Sequence, residues 1–172
     1  LLDLERAFAT RRIIVLHGFG GQGKTSLATQ AADWFVRTDL FERAAFLSFE
    51  QGGGLDVAVS EFGNALVDDN FSNFAGDKVE AVADSLGAKS TLLVWDNFES
   101  VLPNGNAPLP AEELQKLLAA GAQWASAGNS RLLITTRNPK IPHTDFMPGQ
   151  TCLRKELGGL ALLFGLTLGL PI

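Results

Sequence analysis

Ile13-Ile14-Val15-Leu16-His17-Gly18-Phe19-Gly20-Gly21-Gln22-Gly23-Lys24-Thr25-Ser26-Leu27-Ala28 is the stretch that decides the fold. Its first four residues are uncharged and mostly β-branched, the pattern of a strand buried on both faces of a parallel sheet. Residues 18–25 then fit G-x-x-x-x-G-K-[ST], a loop whose backbone amides wrap the phosphates of a nucleotide. Glycines at 18, 20, 21 and 23 remove Cβ atoms, so the chain can curl and aim successive N–H groups at one anion. Phe19, Gln22 and Ser26, within or beside the loop, are read as part of this cradle. Lys24 brings a mobile positive charge to the terminal phosphates, and the Thr25 hydroxyl is a ligand for Mg²⁺. After Thr25, apolar residues Leu27, Ala28, Ala31, Ala32 and Phe35 recur at helical spacing. The helix opens on the loop and adds its N-terminal dipole to the same anion site.

Outward from this stretch, strand-like and helix-like segments alternate, which predicts an α/β fold with a parallel sheet. Residues 1–9 read as the end of a helix, and the helix after the loop runs to about Thr38. Further strands are expected at 44–49, 91–95 and 131–136, with a short fifth at 151–154. Helices are expected over 55–68, with Val57, Val59, Phe62 and Leu66 inward, over 79–86, and over 111–127 behind Pro110. Trp34, Trp95 and Trp124 are expected in the core, and Cys152 as a small apolar residue in a strand.

Two strands end in groups with chemical capacity. Leu92-Leu93-Val94-Trp95 delivers Asp96 to the carboxyl edge of the sheet, where open α/β folds bind ligands. There Asp96 can complete the Mg²⁺ shell beside Thr25, or it can be the turn former that often ends a strand. Likewise the strand of Arg131-Leu132-Leu133-Ile134-Thr135-Thr136-Arg137 delivers Thr136 and Arg137 to the same edge. Arg137 can sense or neutralise a terminal phosphate, or it can close a surface loop before Asn138-Pro139.

Composition narrows the function classes. Net charge is −5 and no Lys/Arg cluster exceeds a pair, so a nucleic-acid-binding surface on this segment is not expected. A single cysteine leaves no internal disulfide and no cysteine-built metal site, and points to a reducing cytoplasm. His143 stands alone in a loop and is not read as a ligand. The opening Leu1-Leu2-Asp3-Leu4-Glu5-Arg6 carries early acids and no secretory pattern, which suggests a segment of a longer chain. Residues 157–172 are uncharged and strongly apolar, read as part of a buried helix rather than a membrane span.

Together these motifs resemble the STAND class of P-loop ATPases, relatives of AAA+ proteins that include the NB-ARC and NACHT modules. His17 to Ala28 is similar to the NB-ARC phosphate loop, typically G-M-G-G-V-G-K-T-T-L-A. Phe41 to Phe49 resembles that family's second strand, Leu132 to Arg137 its sensor strand, and Gly169-Leu170-Pro171-Ile172 its G-L-P-L element. The resemblance implies a three-layer P-loop NTPase with a mostly parallel sheet flanked by helices over 1–155. Residues 156–172 would then begin a helical subdomain.

It further implies an ATP/ADP switch with Mg²⁺, in which ADP holds a closed state and ATP permits self-association. Effector and sensor domains would lie elsewhere in the same polypeptide, with no membrane partner. By that likeness the backbone of Gly21 to Ser26 holds the β-phosphate, Pro171 lies against the base or sugar, and Arg137 faces the γ-phosphate.

Asn97 stands where many AAA+ proteins carry the Glu that polarises water. Asn cannot accept a proton, so hydrolysis is expected to be slow unless Glu99 performs that task; Glu99 reads equally as a solvated carboxylate. Two other classes stay open: an active ATPase of another branch, such as a DNA-linked motor or loader or a kinase, and a module that binds nucleotide without turning it over.

Overall fold

The computed structural model describes residues 1–158. The five expected strands form, as β1 (Ile13–His17), β2 (Arg43–Ser48), β3 (Thr91–Asp96), β4 (Arg131–Thr136) and β5 (Cys152–Glu156). Among the described residues the α-helices are α1 (Leu2–Phe8), α2 (Lys24–Arg37), α3 (Leu55–Leu66), α4 (Lys78–Ala88) and α5 (Ala111–Ser126). Every strand pair is parallel, in the order β2-β3-β4-β1-β5. The sheet is therefore the middle of three layers.

Strand parity assigns the faces. Ile13 and Val15 join Leu93, Trp95, Leu132 and Ile134 in a cluster beneath α3, α4 and α5. Ile14 and Leu16 join Leu92, Val94 and Leu133 under α1 and α2. This two-sided burial explains why the central strands read as unbroken apolar runs instead of alternating ones. The helices start where the sequence supplies a boundary: Asp77 caps α4 by accepting from the amides of Val79 and Glu80 at 3.0 and 3.1 Å, and Pro110 precedes α5.

Several details differ from the sequence reading. Trp34 is 46% exposed, because α2 turns Ala28, Ala31 and Phe35 toward the sheet and leaves Trp34 on its flank. Val57 is also exposed: the buried stripe of α3 is Ala58, Val59, Phe62, Gly63 and Leu66, and Val57 lies a helical step off that stripe. Between α3 and α4, where no helix or strand is expected, Phe71 is buried on a short 3-10 turn against Gly63. The fifth strand runs longer than expected, to Glu156, as the sheet edge beside β1. The Gly-Leu-Pro element and Pro171 lie outside the described residues.

Helix α5 approaches the sheet closely at Gly121, whose missing Cβ leaves room for the indole of Trp95. Trp95 and Trp124 are both fully buried, each worth on the order of 3 kcal/mol of transfer energy. Helical Gly87, by contrast, has open space where a Cβ would stand. Alanine at the two sites should therefore have opposite effects. Gly87→Ala gains up to about 1 kcal/mol from helix propensity. Gly121→Ala loses about 1–3 kcal/mol to overpacking against Trp95, which exceeds the same propensity gain. Thermal denaturation of the two variants checks the signs.

Candidate functional site

The strand order brings three sequence-distant segments to one edge. Central β4 lies between β1 and β3, with His17 opposite Thr136 and Trp95 opposite Ile134. The loop after β1, the carboxylate ending β3 and the polar end of β4 must therefore meet at the carboxyl edge. All the candidate residues named from the sequence fall there, apart from Pro171, which is not described.

The loop is built as its glycines require. Gly21 and Gly23 adopt φ of 76° and 80°, the left-handed region that residues with a Cβ avoid. Helix α2 makes its first internal bond from the Leu27 amide to the Gly23 carbonyl, at 2.8 Å. The amides of Gly20 to Ser26 have no backbone partner among the described residues, so they form an open set of donors. Phe19 contributes its carbonyl, while its ring is exposed on the loop's rim. The Gln22 carboxamide oxygen is buried against Gly18 without a hydrogen-bond partner.

Lys24 is buried and folds back on its own loop, donating from Nζ to the carbonyls of Gly18 and Phe19, both at 2.7 Å. Burial pushes its ammonium below the ordinary lysine range; the charges of Glu99 and Asp96 oppose this, and that of Arg137 adds to it. A polyanion at the loop would oppose this shift by favouring the ammonium.

Asp96 is 2% exposed and fully engaged. Its carboxylate accepts from Thr25 Oγ1 at 2.9 and 3.0 Å, from Thr135 Oγ1, and from Asn97 Nδ2 at 3.2 Å. The Thr25 hydroxyl beside this carboxylate is an all-oxygen pair of the kind Mg²⁺ takes, with phosphates and waters filling its other positions. Among the described residues no group of three or more His, Cys, Asp or Glu could cage a metal unaided. The residues thus fit a cation that arrives with a polyphosphate.

Beyond Asp96 the chain reverses through Asn97, at φ 53°, and a short 3-10 turn carries Glu99 across to β4. Glu99 accepts from the Arg137 amide at 3.2 Å and pairs with its Nε at 3.2 Å. The Arg137 guanidinium also lies over Gly20, its Cζ 3.3 Å from where a Cβ would sit. Loop, Asp96 turn and Arg137 line a cleft of about 320 Å³, which adjoins a second polar cavity of about 550 Å³ at Asn97, Glu99 and Arg137.

Thr135 was not singled out from the sequence, and it is the residue that joins β3 to β4 at the site. The signal was strand parity: Thr135 shares the face of Leu133, which looks toward α2. Thr136 points the other way and closes a turn with Asn138, at 3.0 and 3.1 Å. His143 caps a short turn, and the buried Cys152 has its thiol pushed up to about 11 by burial. No helix of the described residues is long and apolar enough to cross a membrane.

Among solved structures, the chain is similar to the ORC2 protein of Aeropyrum pernix, solved in ADPNP–ADP complexes. The TM-score is 0.64 at 18% identity, covering 96% of this chain and 48% of that one. It is also similar to PCH-2 of C. elegans (TM-score 0.53, 18% identity, 91% and 40% covered). A third is domain III of the replication initiation protein DnaA of Thermotoga maritima (0.54, 16%, 91% and 59%). No protein-family model and no curated protein matches the sequence. The chain thus has the fold of AAA+ P-loop ATPases, and it spans less than half the length of the ORC2 and PCH-2 chains.

The Glu99–Arg137 pair should add little to stability, because the Arg137 side chain is 66% exposed and solvent screens the interaction. Glu99→Gln is expected to leave unfolding free energy within about 1 kcal/mol of the parent by urea titration. A larger loss would make this pair part of the folding core.

Proposed function

We propose that this chain is the ATP/ADP-binding module of a longer protein, a slow Mg²⁺-dependent ATPase used as a switch for self-association. The observation that carries nucleotide binding is the contact of Thr25 with Asp96 beneath a loop of unpartnered amides. That contact joins a phosphate cradle to a cation ligand set at one point. The ORC2 likeness supports an adenine nucleotide, since that protein was solved with ADPNP and ADP.

In this reading the amides of Gly20 to Ser26 bind the phosphates, and Lys24 exchanges its two carbonyls for phosphate oxygens. Thr25 and Asp96 would hold Mg²⁺, which would supply positive charge against the negative charge developing on the phosphate oxygens. Arg137 leaves Glu99 for a γ-phosphate when one is present. The freed Glu99 can then accept a proton from an attacking water, a task the Asn97 carboxamide cannot do. Hydrolysis that waits on this exchange is slow, as a switch needs.

The STAND assignment is supported by the likeness of residues 17–28 and 132–137 to NB-ARC motifs. In that class the effector and sensor domains lie in the same polypeptide and act on a cytoplasmic signal. A DNA-linked loader is the competing reading, and the net charge of −5 with no basic run disfavours it.

Calorimetry on the full-length protein should show binding of ADP and ATP, and size-exclusion chromatography should show assembly with ATP only. Turnover should fall well below about 1 s⁻¹, the low end for kinases. Hydrolysis stimulated by DNA would overturn the switch in favour of the loader. Lys24→Ala should weaken both nucleotides by about 10- to 100-fold, the range of a charge-assisted hydrogen bond; unchanged affinity would place the phosphates elsewhere. Arg137→Ala should selectively lose the response to ATP while keeping ADP bound. Equal loss of both would make Arg137 structural.

A further inference from the structure

The last row of buried residues beneath α2 is unlike the rows before it. On this face β3 and β4 present Leu92, Val94 and Leu133, all aliphatic and fully buried. Then come Asp96 and Thr135, 2% and 1% exposed, at the edge where the phosphate loop crosses. Packing alone asks for another aliphatic residue at 135, since valine has the shape of threonine. The hydroxyl is therefore to be explained by what it touches.

It touches two things. Its one proton goes to Asp96 Oδ1, and its oxygen accepts from the Asn97 amide at 3.1 Å. The Asn97 carboxamide meanwhile donates to Asp96 Oδ2. Each carboxylate oxygen is thus held from the strand side by one donor, Thr135 on Oδ1 and Asn97 on Oδ2. Thr25, the remaining donor, reaches both oxygens from the loop side. A carboxylate has about four lone-pair sites. When the Thr25 hydroxyl turns to a cation, the strand-side bonds persist and keep the carboxylate aimed at the place Thr25 vacates.

We propose that Thr135 is a positioning residue for the divalent cation. Its hydroxyl orients the Asp96 carboxylate toward Thr25, and it fixes the left-handed turn at Asn97 that supplies the second support. This rests on the nucleotide reading above. Outer hydrogen-bond partners of metal ligands commonly govern affinity by about 10- to 100-fold. Thr135 should do so through orientation, without touching nucleotide.

The test compares ATP affinity of the full-length protein in Mg²⁺ and in EDTA, for the parent, Thr135→Val and Thr135→Ser. In the valine variant the tightening produced by Mg²⁺ should shrink by about tenfold. Affinity in EDTA should stay within twofold, and serine should keep the parent's behaviour. Paramagnetic resonance of Mn²⁺ added to the ADP complex gives the cation affinity directly and should show the same order. Where Thr135→Val does not fold, Thr135→Ala replaces it in both measurements. An unchanged Mg²⁺ effect, or an equal loss with and without Mg²⁺, would overturn the assignment. Absence of ATP binding by the parent would instead overturn the nucleotide reading.

Discussion

The Asp96 carboxylate, buried and held by donors from three segments, is the constraint on which the rest of the molecule depends. A charge this far from water is costly unless its lone pairs are satisfied. Satisfaction here requires Thr25 from the helix after β1, Thr135 from β4 and Asn97 from the turn after β3. Those donors coincide only if β4 lies between β1 and β3 and all three run parallel in the observed register. A slip of one residue would swing Asp96 and Thr135 to the face packed by Trp95 and Ile134, away from Thr25 and among mostly apolar side chains. The same requirement that fixes the sheet thus assembles the site.

On the loop side, the cations are engaged within the chain. Lys24 rests on two carbonyls and Arg137 on Glu99. A polyphosphate must displace these contacts, so part of the Coulomb attraction is spent on exchange rather than on net affinity. Under the switch reading this exchange has a use. Arg137 cannot turn to a terminal phosphate without releasing Glu99, so the presence of that phosphate and the exposure of a proton acceptor become one event. Gly20 keeps the path open, because a side chain there would press on the guanidinium.

Most of the fold was legible because its central strands carry uniform apolar runs and its phosphate loop has glycines at fixed offsets. The strands were found to within a residue or two, and the loop, Asp96 and Arg137 were placed at one edge by the rule for parallel sheets. What escaped has specific causes. Trp34 and Val57 were expected inside because they are apolar, but a helix buries a stripe and not a composition, and both sit beside their stripe. Phe71 was lost in a run of Asp, Asn and Ser, where one buried ring leaves no period to detect. Thr135 was passed over because it reads as the end of an apolar strand. Its role follows only from which face it shares, and that parity is fixed once Leu133 and Asp96 are seen under the same helix. The Glu99–Arg137 pair was invisible for a related reason: it depends on the left-handed turn at Asn97, which a strand-then-loop reading does not specify.

Asn97 also bears on which kind of P-loop protein this is. A residue at that position in a left-handed conformation favours Asn over most side chains, and here its carboxamide is bonded to the Asp96 carboxylate. Side chain and backbone are therefore committed to holding the cation ligand, one through Nδ2 and the other through the amide on Thr135. A glutamate there would set a second negative charge beside Asp96 and remove a donor from it, trading support of the cation ligand for a proton acceptor. Under the switch reading, this arrangement of Asn97 and Asp96 would favour retention of bound nucleotide over its rapid turnover, because the side chain that could have served as a base is instead a donor to the cation ligand.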